Sequence, residues 1–97
     1  MKINKIHNID ALSGLKKIKD NSVDIAFVDP PYNVGKKYGE GINDKLPEEE
    51  FNQLMQNVIT EFRRVTKKGF AFYLDWKQFQ KFWKWMPDAE VIIIFKR

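Results

Sequence analysis

The tetrapeptide Asp29-Pro30-Pro31-Tyr32 follows an apolar run, Val23-Asp24-Ile25-Ala26-Phe27-Val28, and precedes a glycine-containing stretch. Two successive prolines remove two backbone donors and leave their carbonyl oxygens available. With the Asp29 carboxylate they present a cluster of acceptors and no competing N–H. Such a cluster suits an amine. An amino group on a flat base that donates one hydrogen to Asp29 and another to the Pro30 carbonyl has its lone pair drawn out of conjugation. It then becomes nucleophilic toward a sulfonium methyl without a strong base nearby. Tyr32 adds a flat face for a base that has left its stack, a contact worth about 1–3 kcal/mol against a flipping cost of a few kcal/mol. The plainer role for the same residues is a rigid strand terminator; their place between an apolar strand and a glycine-containing loop favours the chemical one.

The elements that must position this segment are legible from periodicity. Lys2 to Asn8 reads as a short strand through Ile3 and Ile6. Asp10 reads as an N-cap for a helix over residues 11–18, with Leu12, Leu15 and Ile18 on one side and Lys16, Lys17 and Lys19 on the other. After the turn cluster Asp20-Asn21-Ser22, the nearly continuous apolarity of Val23 to Val28 predicts a strand covered on both faces. Asn33 to Leu46 reads as a loop, and Pro47, at a first helical position before Glu48, Glu49 and Glu50, opens the longest helix. Its buried stripe is Phe51, Leu54, Met55, Val58, Ile59, Phe62 and Val65, and Lys67, Lys68 and Gly69 supply its basic last turn and closing glycine. Phe70 to Leu74 is a second buried strand ending at Asp75. Trp76 to Met86 is a helix with Trp76, Phe79, Trp83 and Met86 on its apolar side and Lys77, Lys81 and Lys84 opposite. Phe82 and Trp85 fall off that stripe and mark surface for a missing half or a partner. Glu90 to Phe95 is a third apolar strand. This alternation gives an α/β domain with a mostly parallel sheet flanked by helices. In such a sheet ligands bind beyond the carboxyl ends of the strands, where Asp29 and Asp75 fall; capping of the next helix is the simpler role for Asp75.

Composition bounds the chemistry. With 97 residues the chain fits one small domain, and the absence of cysteine together with a single histidine excludes disulfides, thiolate metal sites and histidine-cluster metal sites. The run from Val91 to Phe95 is too short to span a bilayer, so the chain reads as soluble and cytoplasmic. A net charge of +4 suits a polyanionic partner. Lys36 and Lys37, in the loop beside the tetrapeptide, are the better phosphate contacts; Lys77, Lys81 and Lys84 read as a solvated helix face, and His7 as a surface residue.

Taken in order, Asp10-Ala11-Leu12, Asn21-Ser22-Val23-Asp24, the strand into Asp29-Pro30-Pro31-Tyr32-Asn33, Arg64-Val65 with Lys67-Lys68-Gly69, and Ile93-Ile94-Phe95-Lys96 resemble the amino-terminal half of the β-type DNA amino-methyltransferases. These enzymes act on adenine N6 or cytosine N4. The resemblance implies a partial Rossmann-like S-adenosylmethionine methyltransferase sheet, with residues 1–97 as a single incomplete domain. It implies that Asp29 and the Pro30 carbonyl, with Pro31, hold the target amine and that Tyr32, with Asn33, Lys36 and Lys37, meets the DNA. It also implies that Asp10 and Asp29 approach the cofactor, although a glycine usual before the first of these acids is Ile9 here. Aspartate before the prolines leans the target toward adenine. The family's sheet order, 3-2-1-4-5-7-6, would leave only two of this chain's strands as neighbours. Its glycine-rich cofactor loop of the form Phe-x-Gly-x-Gly does not occur in the chain, and Gly35, Gly39 and Gly41 neither follow a strand nor open a helix.

Two functions follow as expectations. One is a truncated or split site-specific methyltransferase of restriction-modification or phage type, working with a complementing chain that carries the glycine loop. The other is an inactive remnant that self-associates or binds DNA. A weaker third is methylation of a glutamine side chain or an RNA base, although glutamine enzymes would carry asparagine at the position of Asp29.

Overall fold

The computed structural model describes residues 1–31 and 46–91. Helix α1 spans Ala11–Leu15, strand β1 Ala26–Val28, helix α2 Glu48–Val65, strand β2 Phe70–Phe72 and helix α3 Trp76–Trp85. The two strands pair in parallel, Ala26 with Phe70, Phe27 with Ala71 and Val28 with Phe72, and an isolated parallel bridge joins Val23 to Thr66. The described residues thus form an α/β unit around one parallel strand pair.

The pairing is interrupted once. Between the Val23–Thr66 bridge and the Ala26–Phe70 pair, Lys67, Lys68 and Gly69 stand against Asp24 and Ile25 alone, so the second strand carries an extra residue. Gly69 absorbs it with φ +108, a conformation that a side chain would strain. This is why the predicted Val23–Val28 strand appears as a bridge followed by three regular residues. Backbone bonds hold both sides of the bulge: Lys67 N–H donates to the Val23 carbonyl at 2.7 Å, and Ala26 N–H donates to that of Gly69 at 3.3 Å.

Helix α2 supplies the core. Phe51, Met55, Val58, Ile59 and Val65 are buried, and Leu54 and Phe62 pack against them, as the periodicity predicts. Its boundaries shift slightly: Pro47 is the N-cap, not the first helical residue, and the helix closes on Arg63 and Arg64, leaving Lys67 and Lys68 in the bulge. Leu15 of α1 and Phe82 and Met86 at α3 complete the core. Helix α1 is shorter than the predicted 11–18. Arg64 accounts for its end: its guanidinium donates to the carbonyls of Leu15 and Ile18, both at 2.8 Å, and pairs with Asp20 and Glu61. These partners raise its pKa, first through the Glu61 hydrogen bond and then that of Asp20.

Four further expectations are corrected. Residues 2–8 form no strand: they are exposed, and Asn4 takes φ 55, which breaks an extended run. β1 is covered on one face only. Ala26, Val28, Phe70 and Phe72 turn toward the helices, while Phe27 is 75% exposed and Ile25 68%. β2 ends at Phe72, short of the predicted Leu74. Finally, α3 is rotated relative to its predicted apolar side. Phe82 is 1% exposed and Trp85 packs beside it, whereas Trp76 is 71% exposed and Trp83 42%. Phe72 reaches Phe82 across the core with ring centroids 5.4 Å apart, and that contact fixes the rotation. Of the predicted third strand, Glu90 and Val91 are non-strand, and residues 92–95 lie outside the described residues.

Candidate functional site

Asp29 and Pro30 sit at the carboxyl end of β1. The alternation that points Val28 toward the helices and Phe27 away continues past the strand: Asp29 is exposed and Pro30 buried. Pro30 anchors the end of the strand in the protein, and Asp29 is thereby held on the open side of the sheet. The next strand fixes the same point, because Tyr73 N–H donates to the Val28 carbonyl at 2.8 Å. Continuing the parallel register by one residue places Tyr73 beside Asp29 on the open side, a neighbour that sequence reasoning missed. The strand periodicity of Phe70-Ala71-Phe72-Tyr73 was the signal that could have found it.

Among the described residues no donor is paired with the Asp29 carboxylate. By contrast, Asp75 accepts from Gln78 N–H at 2.8 Å and caps α3. Asp10 caps α1, with its Oδ2 accepting from both the backbone N–H and the hydroxyl of Ser13 at 3.1 Å. It stands at the start of a helix whose packing is against α2. A shallow surface hollow of about 330 Å³ lies next to it in sequence, lined by Met1, His7, Asn8, Ile9 and Lys17. Ile9 leans on α1, and a Cβ at Gly14 would meet its Cγ2 at 3.1 Å. Pro31 is exposed at the end of the described segment. Tyr32, Asn33, Lys36 and Lys37 lie outside the described residues. Among the described residues no group of three or more His, Cys, Asp or Glu side chains is placed to hold a metal ion, and no helix is long and apolar enough to cross a membrane.

At the carboxyl end of a parallel strand and before two prolines, the Asp29 carboxylate has no partner among the described residues and has acceptor capacity to spare. Residues 23–95 match the N6/N4 methyltransferase family model described as DNA methylase, and the chain belongs to that family. It is 45% identical over 65 residues to the DNA adenine methyltransferase YhdJ of Escherichia coli K12, a match covering 67% of this chain and 22% of that protein. It is 40% identical over 71 residues to the type II methyltransferase M.BglII of Bacillus subtilis, covering 73% and 19%. Against M.BamHI of Bacillus amyloliquefaciens the identity is 35% over 72 residues, covering 74% and 17%. The chain spans about a fifth of the length of these relatives.

Proposed function

We propose that this chain supplies the base-amine half of a DNA adenine-N6 methyltransferase site, with a partial Rossmann-like sheet as its scaffold. The observation that carries the reading is the Asp29 carboxylate, exposed and without a partner among the described residues at the end of β1, while Pro30 beside it is buried. A target adenine amine donates one hydrogen to that carboxylate and the other to the Pro30 carbonyl. The nitrogen lone pair is thereby freed from the ring and directed at an incoming methyl group. Tyr32 stacks on the flipped base, and Asn33, Lys36 and Lys37 meet the DNA strand. The adenine target rests on the aspartate before the prolines and on the adenine enzyme among the relatives.

S-adenosylmethionine supplies an electrophilic methyl group when bound. Toward it the described residues offer Asp10, one of whose oxygens is taken by Ser13. The remainder of that pocket falls to a polypeptide carrying the glycine-rich loop, either as a complementing chain or as the larger body that the relatives possess. The test is to mix the chain with such a polypeptide, labelled S-adenosylmethionine and duplex DNA. Methyl incorporation that needs both polypeptides supports the reading, and no transfer with any such partner overturns it.

A second reading, a non-catalytic remnant that self-associates, rests on the exposed apolar face bearing Ile25 and Phe27. Light scattering decides it: a dimer that Phe27→Ser dissociates supports this reading, and a monomer refutes it.

A further inference from the structure

The Asp29 site leaves one surface of the molecule unused, the outward face of α3. Trp76 stacks on Phe79 with centroids 5.7 Å apart and planes at 16°, and Phe79 meets Trp83 at 5.6 Å. The three rings form a column along the helix, and Trp76 and Trp83 are exposed while the core is filled from the other side by Phe82 and Met86. Lys77 and Lys84 run beside this column. They are seven residues apart and therefore almost aligned along the helix, about 10 Å from one another. Both are exposed, and neither is paired with a carboxylate among the described residues. The third lysine is occupied: Lys81 pairs with Glu48 at 2.7 Å and lies over the Phe51 ring. No acidic residue occurs between Trp76 and Met86, and Asp75 is engaged in the cap.

We infer that this face of α3 binds single-stranded nucleic acid, with an unstacked base lying against Trp76 and phosphates held by Lys77 and Lys84. Open aromatic surface and unpaired positive charge on one helix are the two components of such a platform. Their charge also selects among occupants. A second copy of this chain would bring two like-charged faces together, and a helix of ten residues buries far less than the roughly 1,000 Å² that a stable interface needs. A polyanion gains from the same lysines through counterion release. Trp76 opens the helix that follows β2, three residues beyond Tyr73, whereas Asp29 ends β1.

The experiment is fluorescence anisotropy with the intact chain and a labelled oligothymidine strand of about a dozen nucleotides, alongside a duplex of equal length, over a salt series. The single strand should bind more tightly than the duplex. Trp76→Ala should weaken it by about 5- to 150-fold, the range for one base stacked on one ring, and Trp76→Phe should restore most of the loss. Lys77→Gln with Lys84→Gln should reduce the slope of log affinity against log salt by about 1.4, at roughly 0.7 per phosphate contact. Because these lysines are exposed, that double variant tests the platform even if Trp76→Ala perturbs the helix. Equal binding of single strand and duplex overturns the inference, as does affinity unmoved by either set of substitutions. A dimer that Trp76→Ala dissociates, without strand binding, assigns the face to a second copy and likewise overturns it. The readout is binding and not methyl transfer, so its failure leaves the reading of Asp29 standing.

Discussion

Substituting Phe82 and Trp83 separately sets two orientations of α3 against each other. Phe82 is 1% exposed and lies between Phe72, at 5.4 Å, and Trp85, at 5.1 Å. Trp83 is partly open to solvent and touches Phe79 on the outer face. Phe82→Ala therefore removes a ring from a closed core and leaves a cavity, at a cost of about 3–5 kcal/mol. A domain of this size is stable by about 5–15 kcal/mol, so the variant should lose between roughly a fifth of its stability and all of it. Trp83→Ala loses a half-exposed contact, at about 1 kcal/mol or less. In urea melts followed by circular dichroism at 222 nm, Phe82→Ala should lower the midpoint by about 1 M or more, or abolish the transition. Trp83→Ala should stay close to the parent chain. Equal losses, or a larger loss at Trp83, would refute the orientation and the platform argued from it.

Further outcomes follow from other contacts. Gly69→Ala forces a side chain onto φ +108 in the bulge and should cost about 1 kcal/mol or more, seen as a Tm lowered by about 4–8 °C per kcal/mol. Arg64→Ala removes the guanidinium donors to the Leu15 and Ile18 carbonyls, leaving Leu15 only the Ile18 N–H, and should speed amide exchange over residues 15–22 while leaving the centre of α2 protected. The hydrogen bond from Arg63 holds the Asp88 carboxyl below its usual range. A depressed carboxylate pKa contributes stability above the unfolded value and loses it as pH falls through the folded one. Asp88→Asn should therefore change stability at neutral pH and leave it unchanged in strong acid, and high salt should diminish the difference because the pair is exposed. The open sheet face should bind the dye ANS, and Phe27→Ser should weaken that binding without lowering the Tm appreciably.

How far the sequence carried the account depended on the kind of signal. The α2 stripe was legible because Phe51, Met55, Val58 and Ile59 repeat at helical spacing over eighteen residues, with acids at one end. The parallel pairing was legible as two apolar runs separated by that helix. In contrast, α3 carries two apolar stripes, Trp76-Phe79-Trp83 and Phe82-Trp85 with Gln78, and both include or adjoin Met86. Counting apolar residues favours the wrong one, because the buried stripe contains a polar Gln78. Only the Phe72 ring, contributed from another element, decides between them. The bulge was hidden for a related reason, since Gly69 read equally well as a helix-ending glycine. Asp29 was legible because the prolines after it fix where the strand stops, while the position of Tyr73 beside it depends on a register that only pairing reveals.

The central claim is that Asp29 accepts a hydrogen from the amine to be methylated. Its most direct test is the rate of N6-methyladenine formation, measured by mass spectrometry of digested DNA, when the complementing polypeptide is combined with the parent chain, Asp29→Ala or Asp29→Asn. Both variants should fold, because Asp29 is exposed and unpaired among the described residues. Asp29→Ala should lower the rate by about 100-fold or more, the scale for removing one group that stabilises a transition state, with the affinity for DNA little changed. A rate within a few-fold of the parent would contradict it.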